Sequence, residues 1–138
     1  MVLIRVSKVI KASPERVFRF MTNLERFSEF DPGITKVTIT STIKEGVGVK
    51  SHWILDREGK HNEWDEEIVE WIPYDCYMYR VTTKDKEYLG IHLFEPSNGG
   101  TKNTFIVIPL HQHPNADWYR TGMQGLLDHA KENIEAGL

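Results

Sequence analysis

Hydrophobic and polar positions alternate with period two over most of the chain, and with helical spacing in three segments, two short and adjacent and one long at the C-terminal end. Val2, Ile4, Val6 and Lys8 alternate with Leu3, Arg5, Ser7 and Val9, a β-branched run that predicts a strand from Val2 to Ile10. At Ser13-Pro14 the pattern changes. The Ser13 hydroxyl suits the exposed amides of a first helical turn and Pro14 the first helical position, so a helix is expected from Pro14 to about Thr22. Val17, Phe18 and Met21 form its apolar face. Asn23 is a candidate cap for a second short helix through Leu24, Phe27 and Phe30, stopped by Asp31-Pro32-Gly33.

Beyond that turn the period returns to two. Segments Ile34–Thr42, Val47–Asp56, Lys60–Ile72, Cys76–Lys84, Glu87–Glu95 and Thr101–Leu110 are separated by short polar or glycine-rich connections, which join antiparallel neighbours. A meander of six strands follows, with the first strand paired to one of its edges. Asn115-Ala116-Asp117 then opens a long helix whose single apolar face includes Tyr119, Met123, Leu126, Leu127, Ala130 and Ile134. The order β-α-α-β-β-β-β-β-β-α predicts an α+β domain over residues 1–138: a curved antiparallel sheet wrapped around the long C-terminal helix, with a hollow between them.

Composition narrows the possibilities. The 138 residues carry 17 Lys+Arg against 20 Asp+Glu, a net charge of -3, so no basic excess exists to neutralise a nucleic-acid backbone. The first apolar run is broken by Arg5 and Lys8, and no later run has the length of a membrane span. One cysteine, Cys76, cannot form an internal disulfide, which fits a cytoplasmic, reducing compartment. Four Trp, five Tyr and six Phe are an unusual load for a chain of this polarity.

The segments Ala12-Ser-Pro-Glu-Arg-Val-Phe18, Phe30-Asp-Pro-Gly33, Ile68-Val-Glu-Trp-Ile-Pro73 and Phe94-Glu-Pro96 with Gly99-Gly-Thr101 occur in the order and spacing of one fold. Over its whole length the chain resembles the START-like superfamily with the helix-grip fold, which includes bacterial polyketide cyclases/dehydrases and birch-pollen-type plant allergens. That superfamily also holds lipid and hormone binders, oxygenase subunits and chaperone activators, so the resemblance implies a scaffold more than an activity. No Cys/His cluster for an iron–sulfur centre is present, which disfavours the oxygenases.

Strand phase selects the candidate site. Trp53 is in phase with Val47, Val49, Ser51 and Leu55, opposite Lys50, His52 and Asp56, and so faces the hollow. Trp64, Ile68 and Ile72 share a phase with Glu66 and Glu70. Carboxyls in an apolar hollow would be held protonated and suited to acid–base work, unless a bulge turns them to water. His92 shares a phase with Tyr88, Gly90 and Phe94, while Leu89, Ile91 and Leu93 are equally apolar, so its face is open. The same ambiguity covers Tyr77 and Tyr79 against Met78 and Arg80. His111 and His113 have the spacing to begin a zinc site, but no third nitrogen or sulfur ligand accompanies them. Gly122 and Gly125 each cost about 1 kcal/mol within a helix, which predicts space or a close contact beneath it.

These readings give contact residues Trp53, Trp64, Tyr79, His92, Phe105, Met123, Leu126 and Leu127, with Glu66 and His92 as catalytic candidates and no metal or cofactor. The first functional reading is a binder of a small hydrophobic, lipid-like or aromatic molecule, as a monomer or homodimer without membrane insertion. The second is a cyclase/dehydratase using the same hollow. The third is an interaction protein whose hollow is filled by its own side chains.

Overall fold

The structure, a computed structural model, describes residues 3–111 and 115–137. Strand β1 (Ile4–Ile10) leads into α1 (Pro14–Met21), where Ser13 Oγ accepts from Arg16 N at 3.2 Å. A 3-10 turn, Leu24–Arg26, and helix α2 (Phe27–Phe30) follow. The side chain of Asn23 makes no capping bond there; its backbone carbonyl accepts from Arg26 N instead. Asp31 ends α2 as expected, with its Oδ1 accepting from Gly33 N at 3.0 Å.

The meander comprises β2 (Ile34–Ile39), β3 (Lys50–Arg57), β4 (Lys60–Ile72), β5 (Cys76–Thr82), β6 (Glu87–Ser97) and β7 (Gly100–Pro109). All pairings are antiparallel in the order β1-β7-β6-β5-β4-β3-β2, so β1 docks on the far edge of the meander. Helix α3 (Ala116–Glu135) begins at Asn115, whose Oδ1 accepts from Trp118 N at 3.2 Å. It packs on β1, burying Met123, Leu127, Ala130 and Ile134. This is the helix-grip fold.

Two expected phases fail locally. Val47 is exposed rather than inward, because Gly46 and Gly48 adopt φ of 90° and 98° and no strand passes through them. On β4 the pairing shifts between Ile68, opposite Tyr79, and Glu70, opposite Met78. Val69 is the extra residue of a bulge, so Glu70 and Ile72 turn outward and Trp71 turns inward against Phe18, with ring centroids 5.0 Å apart. Glu66 precedes the bulge and keeps its inward phase.

A candidate binding cavity between sheet and helix

A cavity of about 630 Å³ separates the concave face from α3. That is within the range of pockets for small molecules. Register fixes its walls as rows of side chains. Trp53 pairs with Trp64, Ser51 with Glu66, and Glu66 with Val81, which pairs with Tyr88. Ile68 pairs with Tyr79 and Tyr79 with Gly90; Tyr77 pairs with His92 and His92 with Phe105. Tyr77 and Tyr79 therefore face inward, whereas Arg80 faces out, exposed and 3.2 Å from Glu87.

Trp53, Trp64, Tyr79, His92, Phe105, Met123 and Leu126 all border the cavity. Leu127 does not. Fully buried, it lies on the α3 face shared by Met123, Ala130 and Ile134, and fills core. Nine of the fifteen aromatic residues border the cavity, among them Phe27, Tyr77, Tyr88, Trp118 and Tyr119 as well as the four already named. Tyr88 and Trp118 were legible in principle: Tyr88 shares the phase of His92, and Trp118 lies one turn before Gly122.

The two indoles stack with centroids 5.8 Å apart at 11°. Each donates its N–H inside the site: Trp53 Nε1 to Ser51 Oγ at 2.9 Å, and Trp64 Nε1 to Glu66 Oε2 at 2.8 Å. Glu66 keeps partial accessibility only because it borders the cavity. Protein encloses the carboxyl otherwise, and burial pushes its pKa up to about 8, against the opposing pull of the Trp64 N–H. At pH 7 the group is mainly neutral, with a proton to donate. Burial likewise lifts the Tyr77, Tyr79 and Tyr88 phenols well above their ordinary value.

His92 is buried between Tyr77 and Phe105, with ring centroids 5.1 Å and 4.1 Å away. Asn103 Nδ2 approaches its Nδ1 at 3.4 Å, and burial pulls its pKa down to about 3, so the imidazole is neutral. Glu66 and His92 do not form a pair. Strand β5 lies between them, and Tyr88, in the row of Glu66, is four residues or about 13 Å from His92 along β6.

Both glycines of α3 meet the cavity. A side chain at Gly122 would collide with the Arg57 guanidinium, whereas one at Gly125 would meet nothing within 4 Å. The other candidate chemistry is elsewhere. His111 is exposed and lies 3.3 Å from Glu87; His113 lies outside the described residues. Among the described residues no cluster of three or more His, Cys, Asp or Glu is arranged to hold a metal ion. No helix among them is long and apolar enough to cross a membrane.

A helix-grip sheet with an aromatic-walled hollow defines a class of hydrophobic-ligand scaffolds. The family described as polyketide cyclase / dehydrase and lipid transport matches residues 1–138, and the chain belongs to it. An uncharacterized 17.2 kDa protein of Streptomyces lincolnensis, from the melC2-rnhH intergenic region, is 24% identical over 101 residues. That match covers 73% of this chain and 62% of the relative. Among solved structures, TTHA0849 from Thermus thermophilus superposes with a TM-score of 0.84 at 23% identity, over 98% of each chain. Ara h 8.0201 gives 0.81 at 14% identity over 99% of each. The di-domain ARO/CYC StfQ of the steffimycin biosynthetic pathway gives 0.78 at 13% identity, over 99% of this chain and 52% of its own. At these identities the likeness is one of fold.

Proposed function

We propose that the cavity binds a small, largely apolar molecule of aromatic, polyketide-like or lipid-like character, in the cytoplasm and without inserting into a membrane. The observation that carries this reading is the open volume of about 630 Å³ bordered by nine aromatic residues. A sheet that used those rings only as core would close over them. Trp53, Trp64, Phe105, Met123 and Leu126 supply contact area, and the neutral Glu66 carboxyl and Tyr79 phenol orient polar atoms of the ligand.

The direct test is a fluorescence titration with the neutral apolar probe N-phenyl-1-naphthylamine. Saturable binding at about one probe per chain, with quenching of the stacked indoles, is the expected result. Absence of binding, together with a purified protein that carries no small molecule by mass spectrometry under non-denaturing conditions, contradicts the reading.

One observation favours a second reading, a cyclase/dehydratase: the Glu66 carboxyl borders the cavity with Trp64 Nε1 as its one hydrogen-bond partner, and burial pushes its pKa up to about 8, which suits an acid–base group. With a polyketone substrate, Glu66→Gln would then abolish turnover while leaving affinity for the naphthylamine probe within about twofold. Equal loss of both would assign Glu66 to contact alone.

A further inference from the structure

Arg57 ends β3 on the cavity side, directly opposite Lys60 across the turn into β4. Its guanidinium lies 4.0 Å from the centroid of the Trp118 ring, and its Nη2 donates to the Trp118 carbonyl at 2.7 Å. The space it occupies exists because residue 122 is glycine. Lys60 Nζ lies 5.8 Å from the same ring, so two cations converge on one indole.

No ion pair neutralises these two cations among the described residues. Of the neighbouring carboxylates, Asp31 turns its Oδ1 to Gly33 N, Asp56 accepts from Thr35 and pairs with His61, and Glu63 lies between His61 and His52. Among the described residues none forms an ion pair with Arg57 or Lys60, and Arg57 Nε is buried without a partner. A half-buried guanidinium with donors to spare and a planar fork matches a carboxylate. From it, Leu55 and Trp53 continue along the same face of β3, so Trp53 is about 13 Å further in.

We propose that Arg57, with Lys60 beside it, receives an acidic group of the ligand, so that the cavity takes up an amphipathic organic anion: an apolar or aromatic body ending in a carboxylate. This inference rests on the cavity being a binding site and adds the charge of what enters it.

The test compares 11-(dansylamino)undecanoic acid with its methyl ester, two probes that differ only in the head group, by fluorescence titration. Wild-type protein is expected to bind the acid about tenfold more tightly than the ester, the usual scale of a charge-assisted pair. Arg57→Gln should reduce that preference to about twofold or less by weakening the acid far more than the ester, and Arg57→Lys should retain part of it. Should Arg57→Gln not fold, salt gives the same readout in the wild type: raising it to about 0.5 M should weaken the acid and spare the ester. Equal wild-type affinities for acid and ester would overturn the proposal while leaving the cavity a binding site. So would a parallel loss of both probes in Arg57→Gln, which assigns Arg57 to holding the hairpin on α3. Failure of both probes to bind the wild type overturns the binding reading as well.

Discussion

Glu66 and His92 occupy the same enclosed face and are neutral there for the same reason, removal of the charged form from water. Their effects on stability have opposite signs. Between about pH 4.5 and pH 8 the unfolded chain has released the Glu66 proton while the folded chain holds it, so stability falls as pH rises through that window. Between pH 6.5 and about pH 3 the unfolded chain protonates His92 while the folded chain does not, so stability falls as pH drops. Chemical denaturation across pH should therefore show Glu66→Gln removing the fall in stability that Glu66 causes between about pH 4.5 and pH 8 while leaving the slope below about pH 4.5, to which His92 contributes, unchanged. A second residue-scale prediction concerns Gly90, over which the Tyr79 ring lies. Gly90→Ala forces that ring off its seat and should cost about 1–3 kcal/mol in urea unfolding. Alternation put Glu66 in phase with Trp64 but left open a bulge that would turn it to water, and only the β4–β5 register, with its bulge beyond Ile68, keeps Glu66 inward. Alternation also left His92 open because both phases of β6 are apolar, and only pairing with Tyr77 and Phe105 decides between them.

Elements were legible where a local device marks them. Ser13-Pro14 and Asn115 place the starts of α1 and α3, and Gly99, at φ 72°, turns β6 into β7. Devices that act across strands were not legible. The Val69 bulge exists only as a mismatch between β4 and β5, so an uninterrupted alternation carries Glu70 and Ile72 inward when they in fact face water. Helix α3 shows the same division: its two glycines announce a close approach or a gap, but not that Gly122 admits Arg57 and Gly125 leaves space. The gap gives a sharp prediction. Gly125→Leu removes a poor helix former and projects a side chain into open volume, so it should stabilise the fold by roughly 0.5–1 kcal/mol. Affinity for N-phenyl-1-naphthylamine should fall at least about tenfold at the same time, a loss of roughly 1.4 kcal/mol. Loss of stability with unchanged affinity would place the cavity elsewhere.

At the scale of the whole molecule, the aromatic count acquires a location. Phe20, Phe30, Phe27, Trp53 and Trp64 form a continuous ring-to-ring path with successive centroids 4.5, 4.9, 5.3 and 5.8 Å apart, running from core into the cavity wall. The curvature of seven antiparallel strands around α3 keeps the two sides apart where Gly125 supplies no side chain. Family membership and the fold of its relatives agree with a ligand scaffold, while the chemistry of the occupant depends on the side chains that border this cavity. The central claim is that an apolar molecule occupies the space between sheet and helix. Amide chemical-shift mapping during titration with N-phenyl-1-naphthylamine tests it most directly. Saturable shifts concentrated at Trp53, Trp64, Phe105, Gly125 and Leu126 are the predicted result; shifts confined to the convex face, or none at saturating probe, would contradict it.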